Sequence, residues 1–222
     1  MTTASARFYA LGERAVVIES PPPVEETCQQ KIWWLARRLS SHWAVRGVIP
    51  GMNNLTVLLD PALLLPTNFL PELEALWQQA TEEPPHSHEV RIPVVYGGDA
   101  GPDLPDVAHH AKLSPDEVIA RHAGADYLVY FLGFQPGFAY LGGLPEELAT
   151  PRLAEPRLSV PAGSVGIGGC QTGIYPAVTP GGWNLIGRST VRLFDPSASP
   201  PTLLQPGDRV RFVPVEATTC LK

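Results

Sequence analysis

Two arginines recur in one spacing, Pro151-Arg152 and Pro156-Arg157, and a guanidinium fork is well matched to a carboxylate. Upstream, the segment GFQPGFAYLGG (133–143) interleaves Phe134, Gln135, Pro136, Gly137, Phe138 and Tyr140. Downstream, Gln171, Thr172 and Tyr175 lie in QTGIYP, and Gly181, Gly182 and Trp183 in PGGW. Backbones that approach closely at glycine, together with flat aromatic faces, make pocket walls in which Arg and Gln are the few convergent polar groups. A small carboxylated substrate is the chemistry that such residues suit. His122 falls about one helix turn before an apolar strand. There it could move protons, and the end of its helix would favour the charged form. The glycines would equally serve the turns of a β-barrel, and the aromatics its filling.

Other chemistries lack their residues. No GxxxxGK[ST] loop for phosphates occurs, and no GxSxG nucleophile elbow. The run from Gly163 to Gly169 is glycine-rich, but the last glycine of a dinucleotide fingerprint would fall on Gln171, and no helix pattern follows. His86-x-His88 and His109-His110 read as solvated histidines, and Cys170 as a small buried residue rather than a nucleophile. Metal ligands are not expected. The net charge of −6, from 16 Lys+Arg and 22 Asp+Glu, argues against a nucleic-acid groove. The longest apolar run, Tyr127 to Phe134, is far shorter than the roughly 20 residues of a membrane helix, and the first residues carry no secretion signal. Three cysteines without metal spacing point to a reduced, cytoplasmic compartment.

The elements that must position these residues divide by composition. Residues 1–88 hold 12 Gly or Pro and residues 89–222 hold 33, so the second part has nearly twice the density. An apolar but Gly/Pro-dense segment reads as short strands and tight turns. We expect a small α+β domain over 1–85 in the order ββαββα, then a mainly-β barrel domain over 86–222, with the polar stretch Thr81–His88 between them. In the first part, Arg7–Leu11 and Arg14–Glu19 form a hairpin. Cys28, Ile32, Leu35, Leu39 and Trp43 share one helix face. Val45–Ile49 and Leu55–Leu59 are strands, and a second helix covers about Phe69–Ala80. Trp33, Trp34, Trp43 and Trp77 are expected to fill that core or an interface. In the second part, Val90–Val94 is a strand and Asp103–Ala111 a helix. Ser114, Pro115 and Glu117 open a capped helix that ends at Gly124. Tyr127–Leu132 is a central strand.

From Tyr127 to Pro196, the run YLVYFLGFQPGFAYLGG…CQTGIYPAVTPGGWNLIGRSTVRLFDP resembles the family that includes the B-type component of 5-oxoprolinase, the first component of allophanate hydrolase and KipI. IPVVYGGDAGPDL, LGERAVV and VIPGMNNLTVLLDP extend the resemblance over nearly the whole chain. It implies a cyclophilin-like barrel for the second part and an α+β first domain. The implied activity is that of one component of an ATP-dependent 5-oxoprolinase, acting with A-type and C-type partner subunits to open 5-oxo-L-proline to L-glutamate. A KipI-like inhibitor of a sensor histidine kinase, or a component of an allophanate or urea-amide hydrolase, is the alternative. On this resemblance Arg152 or Arg157 would hold the carboxylate, Gln171 or backbone amides would touch the lactam, and His122 would handle protons. With no phosphate loop here, the ATP chemistry would be completed elsewhere or at a shared interface, so the chain alone should be inactive.

Overall fold

The computed structural model describes residues 6–23, 25–82 and 87–216. Part of the expected boundary stretch, residues 83–86, thus lies outside the described residues. The chain divides into two compact units, Met1–His86 and Ser87–Lys222.

In the first unit, strands β1 (Arg7–Leu11), β2 (Ala15–Glu19), β3 (Val45–Pro50) and β4 (Asn54–Leu59) form an antiparallel sheet in the order β1-β2-β4-β3. Alternation turns Val16, Ile18, Leu55, Val57 and Leu59 to one face. There they pack with Ile32, Leu35 and Leu39 of helix α1 (Glu26–Leu39) and Phe69 and Leu73 of helix α2 (Pro66–Gln79). The expected helix face overran its end. Backbone helix stops at Leu39, and Trp43, expected in the core or at an interface, is 62 % exposed, outside this core, and packs loosely on His42. Trp33 is buried, and Trp34 and Trp77 pack at the edge of the core.

The second unit is mainly β. Strands β5 (Glu89–Tyr96), β6 (Tyr127–Leu132), β7 (Ala139–Gly142), β9 (Ser164–Gly168), β10 (Gln171–Ile174), β12 (Asn184–Arg188) and β13 (Arg209–Pro214) close a seven-stranded barrel in the order β10-β7-β6-β13-β5-β12-β9. Only the β5–β13 pair is parallel among the pairings described. Closure leaves no open edge in the barrel. Its interior is filled by Ile92, Val94, Val129, Leu141, Val165, Ile167, Ile186, Val210 and Phe212. A separate ribbon pairs β8 (Arg157–Val160) with β11 (Thr179–Gly181). Helices α3 (Leu104–Ala111) and α4 (Pro115–Gly124) pack on each other, and α4 also packs on β13. The Ser114 capping box forms as the sequence indicates, with the side chains and backbones of Ser114 and Glu117 bonded reciprocally. Cys170 is exposed rather than buried, because it lies on the turn between β9 and β10. Among the described residues no helix is long and apolar enough to cross a membrane.

Candidate functional site

Five aromatic rings gather on the outer side of β9 and β10. Phe134 and Phe138 precede β7, Tyr140 lies on it, Tyr175 follows β10 and Trp183 precedes β12. Phe138 meets Tyr175 and Trp183 edge-on, at centroid distances of 5.5 and 5.6 Å, and Phe134 at 5.4 Å. Edge-to-face contacts of this kind fix ring orientation as well as burying area. The layer sits so close to the strand that a Cβ at Gly168 would overlap the Trp183 indole. A glycine there lets the ring lie flat against the barrel.

These rings wall a cleft of about 280 Å³. Its lining comprises Phe134, Phe138, Tyr140, Arg152, Pro156, Tyr175, Pro180, Gly181, Gly182 and Trp183. Arg152 is the one charged residue among them. Its guanidinium carbon lies 5.9 Å from the Trp183 ring centroid, a distance at which the ring face attracts a cation. The loop that carries Arg152 is anchored on both sides. Asn184 Nδ2 donates to Pro151 O at 2.8 Å, and Leu153 N donates to Gly182 O at 2.8 Å. Burial raises the Tyr175 phenol above its usual range, an effect opposed by the Trp183 backbone N–H, Arg152 and Arg157. Tyr175 therefore stays protonated at neutral pH and can donate a hydrogen bond.

Eight of the residues singled out from sequence meet in this cleft: Phe134, Phe138, Tyr140, Arg152, Tyr175, Gly181, Gly182 and Trp183. Gln135, Pro136 and Gly137 instead line a neighbouring cleft with Leu132, Gly133, Phe194 and Thr202, and Phe134 borders both. Arg157 does not line the aromatic cleft. Its Nη2 donates to Asp103 Oδ1 at 2.6 Å, while Asp103 Oδ2 accepts from Leu185 N at 2.6 Å. A guanidinium committed to a buried carboxylate is a strut, so Arg152 is the guanidinium that lines the aromatic cleft. Gln171 sits on β10 opposite Gly168, outside the lining.

His122 departs most from the sequence reading. It is 0 % exposed and lies outside the cleft lining, against Phe212 and Tyr127. Tyr96 Oη is 2.8 Å from its Nδ1 and Thr172 Oγ1 is 2.9 Å from its Nε2. Thr172 already donates to Gly166 O at 3.0 Å, so it must accept from Nε2–H, and Nδ1 must accept from Tyr96. This is the neutral imidazole. Burial pushes its pKa down to about 3, which reverses the expected effect of the helix end. The bond between His122 and Thr172 joins α4 to the barrel, and His122 is closed off from the cleft.

Three residues were missed. Pro156 and Pro180 line the cleft, although both lie in the Pro-Arg and PGG motifs already in view. Asp103 begins the expected helix, yet its side chain makes no cap bond and reaches across to Arg157. No local pattern announces such a pairing, 54 residues apart.

The family described as carboxyltransferase domain, subdomain C and D, matches residues 6–204. The B-type component of 5-oxoprolinase from Escherichia coli O157:H7 is 54 % identical over 215 residues, covering 97 % of this chain and 99 % of that protein. Its namesake from Haemophilus influenzae is 48 % identical over 206 residues, 91 % of this chain and 95 % of that one. Among solved structures, TTHA0988 superposes with a TM-score of 0.80 at 38 % identity, over 92 % of this chain and 40 % of that one. The chain thus spans about two-fifths of that longer protein. The urea amidolyase of K. lactis has a TM-score of 0.81 at 19 % identity, over 99 % of this chain and 16 % of that one, a likeness of fold alone. Matched over most of its length and closely similar to full-length relatives, the chain belongs to the carboxyltransferase-domain family, subdomains C and D.

Proposed function

We propose that the chain is the B-type component of an ATP-dependent 5-oxoprolinase, which opens 5-oxo-L-proline to L-glutamate together with A-type and C-type partner subunits. The observation that carries this reading is the cleft itself, in which a single guanidinium, Arg152, stands among aromatic walls. A five-membered lactam is a flat, mostly apolar ring with one carboxylate. Aromatic faces suit the ring and Arg152 the carboxylate. Tyr175, protonated at neutral pH and in the cleft lining, would donate to the lactam oxygen. The similarity to B-type 5-oxoprolinase components over nearly their whole length supports the same assignment. We further read the first 85 residues as an α+β domain, residues 86–222 as a cyclophilin-like barrel domain, and the cytoplasm as their compartment.

The lactam carbonyl is an amide, stabilised by resonance, which makes coupling to ATP chemically reasonable. The cleft does not suit a nucleoside triphosphate. Arg152 is the one cation in its lining, and no Gly-Lys-Ser/Thr loop occurs in the chain. Phosphate binding is therefore assigned to none of these residues and is expected on the partner subunits. The test is reconstitution. The purified chain should show no 5-oxoproline-dependent ATP turnover, and the mixture with the A-type and C-type partners should show it. Robust turnover by the single chain, or none by the mixture, would refute the assignment.

A further inference from the structure

Phe134 holds a backbone conformation that bulky residues avoid. Its φ is +66°, in the left-handed region where a side chain crowds the following carbonyl. The turn around it over-determines this geometry. Gly133 N donates to Phe138 O at 3.1 Å, Gln135 N to Gly133 O at 2.7 Å and Phe138 N to Gln135 O at 3.0 Å. Gly137, at φ +85°, has no room for a side chain, since a Cβ would lie 2.9 Å from Phe194 Cβ. Core packing does not explain a phenylalanine here, because Phe134 is 59 % exposed. Strain of this kind persists where the surroundings enforce it and gathers at ligand sites.

Phe134 borders two clefts. One is the aromatic cleft of about 280 Å³, and the other is a cleft of about 380 Å³ lined in part by Gln135, Phe194 and Thr202. Gln135, in the lining of the second cleft, has a buried Nε2 with no hydrogen-bond partner.

From a strained, exposed phenylalanine that borders two clefts, we propose that Phe134 is the specificity-determining wall of the substrate cleft. It limits the cleft to a five-membered lactam carboxylate and shuts off the space in front of Gln135. This rests on the reading of the aromatic cleft as the 5-oxoproline pocket. Removing the ring joins the two spaces and admits the six-membered homologue, 6-oxopiperidine-2-carboxylate. One methylene against an apolar wall is worth a factor of about 10 to 200 in selectivity.

The experiment uses the complex reconstituted with the A-type and C-type partners, carrying wild-type, Phe134→Gly or Phe134→Leu chains. Binding of both lactams is followed by calorimetry, turnover by release of the ring-opened amino acid (glutamate from the five-membered lactam, 2-aminohexanedioate from the six-membered one), and stability by the thermal midpoint. In the wild type the five-membered lactam should be preferred. Phe134→Gly should raise KM for 5-oxoproline about tenfold or more and shrink that preference at least tenfold. Phe134→Leu, which keeps much of the bulk, should fall between. The thermal midpoint of Phe134→Gly should equal or exceed that of the wild type, because glycine adopts this φ without strain. Selectivity unchanged in Phe134→Gly, or a lowered midpoint that accounts for the lost activity, overturns the proposal while the pocket reading stands. A wild-type complex that binds neither lactam overturns both.

Discussion

Arg152 and His122 are both polar side chains beside aromatic rings, yet their surroundings assign them opposite work. Arg152 stands over the Trp183 face and pairs with no carboxylate among the described residues, so its charge is available to a ligand. Arg152→Ala should raise KM for 5-oxoproline about tenfold or more, with a smaller effect on kcat, measured in the reconstituted complex. Arg152→Lys should recover only part of that loss, since a point charge cannot replace a planar fork. His122 is sealed in a neutral state with pKa about 3, well below the value of about 6.5 that an unfolded histidine has. The unfolded chain therefore binds a proton between about pH 6.5 and pH 3 that the folded chain does not. His122 costs no stability above about pH 6.5, and stability falls with a slope approaching about 1.4 kcal/mol per pH unit as the pH drops through that window. Denaturant melts on either side of the unfolded histidine's pKa, at about pH 7 and about pH 5, should show this loss, and His122→Gln should flatten it. A turnover loss in His122→Gln that leaves stability and its pH profile untouched would instead restore a catalytic role. The histidine's position just before a strand was legible in the sequence. Its burial was not, because the groups that seal it come from β5, β10 and β13.

At the level of elements, two pieces are fixed in different ways, and only the second borders the cleft. Helix α4 carries His122 and begins at a complete capping box. The Ser114 backbone and side chain both donate to Glu117, which holds that carboxyl below its usual range. Ser114→Ala should cost about 1 kcal/mol of global stability, read by denaturant unfolding, and leave lactam binding unchanged. The β8–β11 ribbon contributes Gly181 to the cleft, and Pro156 precedes it. Its attachment runs from Arg157 through the Asp103 carboxylate to the Leu185 N–H on β12. Arg157→Ala leaves Asp103 buried with its charge uncompensated. A fully buried broken pair costs about 3–5 kcal/mol. The Arg157 side chain is 31 % exposed, so roughly 1–3 kcal/mol is expected. Arg157→Ala should also raise KM through the loosened wall, and Asp103→Asn should reproduce part of that effect. An Arg157 that clamped the substrate directly would instead lose binding with little change in stability, and Asp103→Asn would then leave KM alone.

For the whole molecule, the two compact units, Met1–His86 and Ser87–Lys222, lead to the proposal that each folds by itself. Limited proteolysis should cut first within Thr81–His88, and the fragment beginning near Glu89 should keep a folded circular-dichroism spectrum. An unfolded fragment would show that the units are interdependent. The sequence by itself determined the elements whose signals are local. The Ser114–Glu117 cap, the continuous apolar strand Tyr127–Leu132 and the Gly/Pro density of a β-rich second part all depend on neighbouring residues and need no distant partner. It also supplied the aromatic and glycine motifs from which the cleft is built, because a close backbone approach requires glycine wherever the strand goes. Tertiary structure alone decided which polar groups face that cleft. Arg152 and Arg157 share one sequence spacing, but Asp103 captures only the second. His122, the expected proton-handling residue, is buried among packed rings, whereas Arg152 lines the cleft. Desolvation and pairing depend on residues 26 to 54 positions away, and such distances leave no periodic trace along a chain.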